Sequence, residues 1–281
     1  MRHPSRTTAL AGAATVLALA LSACTGSAGS GDARGAGATQ GRNPDPALVD
    51  STAVPELGQC RNLRPEDVAL PANATAAVDC TEEHTAQTYA VGTLPDKLHD
   101  AAYDSEELGA WAYKTCSKGL MAFLGADESS VMRTIVTWSW FRPSEAAWDE
   151  GARWYRCDVI GGGGEGVDYR PLPKTAEGLL IGLPPDEWMV CADGPAVAGS
   201  PKVPCSEKHT WRAVTTIKVG EPGDDYPGDR VVEVTSRDFC SDSVAAWLGY
   251  PLEYDFGFTW FKQAEWQVGN RRSVCWARTS S

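Results

Sequence analysis

The chain has 281 residues and a formal net charge of −12, with 37 acidic against 25 basic side chains. No Lys/Arg-rich cluster offsets this acidity, which argues against nucleic acid as a partner. The length leaves room for one large domain or two of about 110 residues.

The N-terminus is typical of an export signal. Arg2 and Arg6 precede an apolar run over residues 8–20, which is too short to span a bilayer comfortably. The run ends in the letters LSAC, which resemble the lipobox of bacterial lipoproteins. This resemblance implies a signal peptide over residues 1–23 and a diacylglyceryl group on Cys24, since two acyl chains suffice for stable anchoring. The alternative is an ordinary secreted protein with a chance cysteine.

The segment that follows, 24–52, is predicted to be a flexible tether. It is rich in Gly, Ala, Ser, Thr and Asp and has almost no large apolar side chain, so it cannot offset its ordering entropy. Loss of Arg2 and Arg6 with the signal would take the net charge from −12 to −14. No later apolar run is long enough to cross a membrane. We therefore expect a protein held on the outer face of the cell membrane by Cys24.

The remainder of the chain consists of two halves that contain the same sequence motifs. The hexapeptide CTEEHT at Cys80 returns as CSEKHT at Cys205, and CSKGLMAFLG at Cys116 returns as CSDSVAAWLG at Cys240. Both halves close on the pattern W-x-x-G-x-R-x-x-x-C. Such repetition predicts two copies of one fold. The predicted copies are 53–165 and 166–281, joined by a Gly/Pro-rich linker at 161–178.

Hydrophobic periodicity predicts the same elements in each copy. The first copy should contain a strand at 86–94, a helix at 106–124 ended by Gly125, and a strand near 138–140; the second a strand at 211–219, a helix at 232–248 ended by Gly249, and a strand near 258–260. A last strand should carry the final cysteine of each copy. The predicted class is α+β: a small, disulfide-stapled, mostly antiparallel sheet with one main helix in each copy.

The eight cysteines after Cys24 are predicted to form disulfides, because the chain is exported and their number is even. Demanding the same pairing in each copy reduces 105 possible pairings to three. Pairing of sequence neighbours is favoured. The pairs would be Cys60–Cys80, Cys116–Cys157, Cys191–Cys205 and Cys240–Cys275.

The repeated Cys-x3-His motif is compatible with several kinds of functional site. Zinc would need four ligands, and each copy offers one such pair whose thiol is expected to be oxidised, so no metal and no cofactor are predicted. A disulfide-bonded cysteine also cannot act as a nucleophile toward His84 or His209. Glu82 with His84, and Glu207 with His209, remain possible acid/base pairs, because residues two apart on a strand share a face. The favoured interpretation is structural: each imidazole orders a turn by hydrogen-bonding a loop carbonyl or a carboxylate.

These motifs together resemble the septum formation domain of actinobacterial envelope proteins, in two tandem copies. The resemblance rests on the Cys-x3-His segments, the cysteine–glycine helix, and the closing blocks. Those blocks contain Trp148, Gly151, Trp266 and Gly269. The family's histidine is often preceded by proline, whereas Glu83 and Lys208 stand there in this chain. The resemblance implies an association with cell division and offers no catalytic residues.

The expected function is therefore that of a lipid-anchored, non-enzymatic envelope protein that binds a partner with its paired domains. Eleven tryptophans supply both core residues and candidate binding residues. A protein partner is expected in preference to a glycan. The alternative is a cell-wall hydrolase that uses Glu82 and His84 or their copies, although no G-x-S-x-G or H-E-x-x-H motif supports it.

Overall fold

A computed structural model describes residues 54–162 and 168–279. The predicted signal peptide, Cys24 and the tether lie outside these residues. Along the described chain, no helix is both long enough and apolar enough to span a membrane.

The first copy is one antiparallel sheet with a long helix packed on it. Its strands lie in the order β1-β2-β4-β3. The elements are β1 (Cys60–Arg61), α1 (Pro65–Val68), β2 (Ala86–Thr93), α2 (Glu106–Leu124), α3 (Glu128–Val131), β3 (Thr137–Phe141), α4 (Glu145–Asp149) and β4 (Trp154–Ile160).

The second copy repeats this arrangement with one more strand, in the order β6-β5-β7-β9-β8. The elements are β5 (Val190–Ala192), β6 (Lys202–Pro204), β7 (Trp211–Lys218), α5 (Asp229–Trp247), β8 (Phe256–Thr259), α6 (Gln263–Val268) and β9 (Arg272–Arg278). Even the β-bulge is duplicated, between Thr88 and Ala90 in β2 and between Ala213 and Thr215 in β7. The predicted α+β class with two tandem copies is confirmed.

Helix α2 has the predicted bounds, whereas α5 ends at Trp247, one residue before the predicted end, and also starts earlier. Helix α2 begins after Ser105, whose side chain accepts a hydrogen bond from the Leu108 amide, and ends at Gly125 with φ 73°. Helix α5 begins at Asp229, three residues before the predicted start. The apolar pattern starts only at Val232, the first buried residue, and misses an exposed first turn that the acidic Asp229 stabilises.

Four disulfides connect the elements, in the pairing of sequence neighbours that the cysteine count favours. Cys116–Cys157 and Cys240–Cys275 tie each main helix to the last strand of its copy. Cys60–Cys80 and Cys191–Cys205 tie the first strand to the turn before each histidine. Each bridge stabilises the fold by about 3 kcal/mol, chiefly by restricting the unfolded chain.

The segment that follows β4 was predicted to be a linker between the copies. Residues 168–180 of it pack against the first copy. We call residues 168–180 the strap. Leu172, Ala176 and Leu180 are buried in the same core cluster as Tyr89 and Leu120. The predicted linker therefore includes part of the first hydrophobic core.

The two copies share a hydrogen-bonded interface and lie in one compact unit. The amide of Ile135 donates to the Trp188 carbonyl at 2.9 Å, and the amide of Val190 donates to the Arg133 carbonyl at 2.8 Å. Gly162 belongs to this junction, because a Cβ there would lie 1.4 Å from the Ile135 carbonyl oxygen. One of the consecutive glycines is thus required by close packing.

The sheet faces turned away from the main helices differ between the copies. In the first copy this face holds buried charges: Thr88 Oγ1 accepts from Arg61 at 2.9 Å and donates to Asp158 at 2.7 Å, and Arg156 lies 3.0 Å from Asp158. Burial, and then the charge of Arg156, lower the pKa of Arg61 to about 10, which Asp158 opposes. The second copy has apolar residues at the matching positions: Ala192, Ala213, Val274 and Trp276.

This comparison generates a prediction for Asp158. Asp158→Asn leaves two buried guanidinium groups without their carboxylate and should lower the free energy of unfolding by about 3–5 kcal/mol. Replacing the three charged side chains together (Arg61→Met, Arg156→Met, Asp158→Leu) should cost less or stabilise, since no buried charge is then left unpaired. Urea unfolding at pH 7 measures both. A triple variant less stable than Asp158→Asn would contradict the prediction.

Candidate functional site

The two histidines of the repeated hexapeptide occupy equivalent, buried positions. His84 is 1% exposed and His209 is 7% exposed. In each ring Nδ1 contacts the carbonyl oxygen of the glutamate two residues earlier, at 2.9 Å to Glu82 and 2.8 Å to Glu207. Because a carbonyl only accepts, Nδ1 is the protonated nitrogen in both rings. Each histidine orders the turn that leads into β2 or β7.

The glutamate side chains do not converge with the histidines. Both Glu82 and Glu207 are exposed, and the Glu207 carboxylate pairs with Arg170 at 2.6 Å. The prediction that each glutamate and its histidine share one face of a strand is wrong, because strands β2 and β7 begin only at Ala86 and Trp211. Residues 82–84 and 207–209 form turns, where alternate side chains need not point the same way.

The closing motif, W-x-x-G-x-R-x-x-x-C, stabilises the fold through contacts between its arginine and its tryptophan. Trp148 and Trp266 are 6% and 5% exposed. In the first copy the guanidinium of Arg153 lies 4.0 Å from the Trp148 ring centroid, and its Nη1 donates to the Trp148 carbonyl at 2.7 Å. Arg271 makes both contacts with Trp266.

The glycine of the motif allows the chain to turn back for this contact. Gly151 has φ 99° and Gly269 has φ 118°, in the left-handed region that other residues rarely adopt. Packing and the turn geometry thus account for the residues of the motif, although Gly151 and Arg153 also line a shallow surface pocket.

An open cleft of about 570 Å³ lies where the second copy meets the end of the first. Its volume falls within the range of ligand pockets. Trp247 and Leu183 are half exposed and fully exposed there, at 50% and 98%, so the cleft has an uncovered apolar wall. Its lining includes the charged and imidazole side chains of Arg133, Asp186, Arg212 and His209 and the exposed apolar side chains of Leu183 and Trp247.

The polar side of the cleft is cationic within an acidic chain. Arg133 is half buried: burial lowers its pKa, the charge of Asp127 opposes this shift, and the charge of Arg212 adds to it. Arg212 donates to Asp186 at 2.6 Å, and this hydrogen bond is the main cause that lowers the pKa of Asp186. The lining of the cleft thus contains two guanidinium groups and one carboxylate. The arrangement suits a ligand that presents an additional acceptor or carboxylate beside an apolar group.

Sequence reasoning placed His209 in a candidate site and missed the other residues of the cleft. Arg133, Leu183 and Arg212 belong to no motif, and Trp247 is the aromatic residue of the repeated segment CSDSVAAWLG, whose spacing indicates only a helix. The signal that could have found them is the difference between copies, because Gln87 and Phe123 stand where the second copy has Arg212 and Trp247. No group of three or more potential metal ligands occurs within residues 54–162 and 168–279.

A family model described as septum formation matches the chain twice, over residues 30–142 and 136–275. The chain belongs to the septum formation family. The two matches agree with the duplicated fold, and the family's description links the chain to a cell-division-related role in the cell envelope. No curated protein matches the chain. No solved structure matches it either.

The buried position of His84 generates a stability prediction. His84→Ala removes a packed ring and its hydrogen bond to the Glu82 carbonyl, and should lower the free energy of unfolding by about 2–4 kcal/mol. Glu82→Gln is the matched control and should change it by less than about 0.5 kcal/mol, since that carboxylate is exposed. Denaturant unfolding without reductant measures both. Equal losses for the two variants would contradict the structural role.

Proposed function

We propose that this member of the septum formation family is a lipid-anchored, non-enzymatic protein that binds a protein partner outside the cell membrane. The observation that carries the proposal is the cleft beside Trp247. It combines an uncovered apolar wall with cationic groups, as protein-binding sites do. Tryptophan and arginine are also the residue types that most often dominate binding energy at interfaces.

The non-enzymatic part of the proposal is supported by the placement of the repeated motif. A general acid or base must reach the atom whose proton it transfers. His84 is buried with its Nδ1 hydrogen-bonded to a backbone carbonyl, and the Glu82 carboxylate is exposed to solvent. All eight cysteines of the two copies are bonded, so none supplies a thiolate.

The anchoring part of the proposal predicts the behaviour of a single variant. Cys24→Ser removes the thiol that would carry the lipid, and should move the protein from the membrane fraction to the soluble fraction of cells that produce it. Ser27→Ala, a change of similar size in the predicted tether, should leave the protein in the membrane fraction. Immunoblotting of the two fractions measures the distribution. Retention of the Cys24→Ser protein in the membrane fraction would refute lipid anchoring.

The binding function and the hydrolase function predict different results in two experiments, one on the cell surface and one with purified protein. We expect surface crosslinking of the full chain, followed by mass spectrometry, to recover an envelope protein reproducibly. We expect purified protein to release no soluble fragments from cell-wall material. Fragment release that disappears in a His84→Ala, His209→Ala variant with unchanged folding would establish the hydrolase and overturn the non-enzymatic proposal.

A further inference from the structure

The strap shows how a copy of this fold binds a chain segment that is neither helix nor strand and ends in a turn. Within residues 172–180, amides donate to the first copy at four places. The donors and acceptors are Leu172 to the His84 carbonyl at 2.8 Å, Ala176 to Gln87 Oε1 at 2.8 Å, Gly178 to the Phe123 carbonyl at 2.7 Å, and Leu180 to the Leu124 carbonyl at 3.0 Å. The buried side chains of the strap complete the core beneath it.

The cleft of the second copy is the same surface without a strap. Counting from the matched cysteines, the strap-contacting residues of the first copy have counterparts that line the cleft. His84, Gln87, Tyr89 and Phe123 correspond to His209, Arg212, Val214 and Trp247. The equivalent surface is covered in the first copy and open in the second, where Trp247 remains half exposed.

We propose that this cleft binds a non-helical peptide segment of a partner protein, one that carries an apolar side chain and a carboxylate. The inference rests on the proposed binding function and specifies its partner. The apolar side chain would pack on Trp247 and Leu183, as Leu172 and Leu180 of the strap pack on the first copy. Backbone amides of the segment would meet the end of α5 as those of the strap meet the end of α2.

The carboxylate follows from one difference between the copies. Gln87 accepts a hydrogen bond from the strap, whereas Arg212 at the same position only donates. A ligand that meets Arg212 as the strap meets Gln87 would therefore offer an acceptor, in addition to the one that Asp186 supplies. Arg133 and Arg212 outnumber the one carboxylate among the lining residues, so a carboxylate on the ligand fits better than a neutral carbonyl.

A second difference limits the path of the ligand. Gly161 lets the Arg170 carbonyl approach the first copy, because a Cβ there would lie 1.9 Å from that oxygen. Thr279 occupies the matching position in the second copy, and its Oγ1 is buried without a hydrogen-bond partner in the described chain. The ligand therefore covers the counterpart of residues 172–180 and ends near this hydroxyl, which can bond to it.

The probe that tests the inference is a labelled synthetic peptide that copies residues 172–180 with Ala176→Asp. Fluorescence anisotropy against the purified extracytoplasmic chain should detect binding. Trp247→Ala should weaken it at least about tenfold, as truncation of an interface anchor does. Arg212→Gln should reverse the preference, so that the unsubstituted peptide binds better than its Ala176→Asp form.

Matched changes on the exposed part of α5 serve as controls. Val231→Ala and Arg237→Gln lie outside the cleft and should leave peptide affinity unchanged. Thermal unfolding confirms that each variant is folded. The inference is overturned if neither peptide binds below about 1 mM, or if Trp247→Ala and Val231→Ala bind alike. Binding of a peptide that copies residues 25–52 in place of the probe would assign the cleft to this chain's own tether and also overturn it.

The cell-surface experiment separates this inference from the proposed function. If the full chain recovers a partner that a Trp247→Ala, Arg212→Gln variant recovers equally well, the binding function stands and the cleft is not its site. If the unaltered chain recovers no partner at all, the proposed function itself fails. If recovery depends on both cleft residues, the inference is supported together with the function.

Discussion

The covalent bond between the main helix and the last strand is the constraint on which both copies depend. Cys116–Cys157 and Cys240–Cys275 fix one face of each helix against an inner strand of its sheet, β4 or β9. A sheet of four or five short strands with a single long helix buries a modest core, so this bridge supplies a large share of the stability. With the scaffold held in this way, the surrounding residues of the two copies were free to diverge.

The divergence affects polarity far more than backbone. The same bulge, the same strand pairing and the same histidine turn occur in both copies, yet one sheet face is charged in the first copy and apolar in the second. Asp158 and Arg156 form a buried ion pair where Trp276 and Val274 simply pack. A buried ion pair adds little net stability over such packing. The buried ion pair and the apolar packing are therefore both compatible with the fold. Stability alone does not dictate which of them occurs on this sheet face.

The predictable features are those that leave a local signature. Helix α2 has the predicted bounds because the apolar spacing and Gly125 indicate them, and the Ser105 cap agrees with them. The repeat and the cysteine count reduce the disulfide pairings to three, of which the favoured pairing of sequence neighbours is the one observed. The short strands β1, β5 and β6 were missed, because two or three residues carry no periodicity. The cleft was missed for another reason: its lining comes from both copies and the connecting chain, and such long-range contacts have no spacing in sequence.

The residue changes between the strap site and the cleft are those that the proposed binding of a separate chain would require. A strap joined to β4 by a few residues has a high effective concentration, so weak contacts with Gln87 and Phe123 are enough to hold it. A separate chain must also offset its lost translational and rotational freedom. Arginine and tryptophan at the same two places contribute more energy per contact than glutamine and phenylalanine. The second copy thus has the stronger anchors at the site proposed for a segment of another protein.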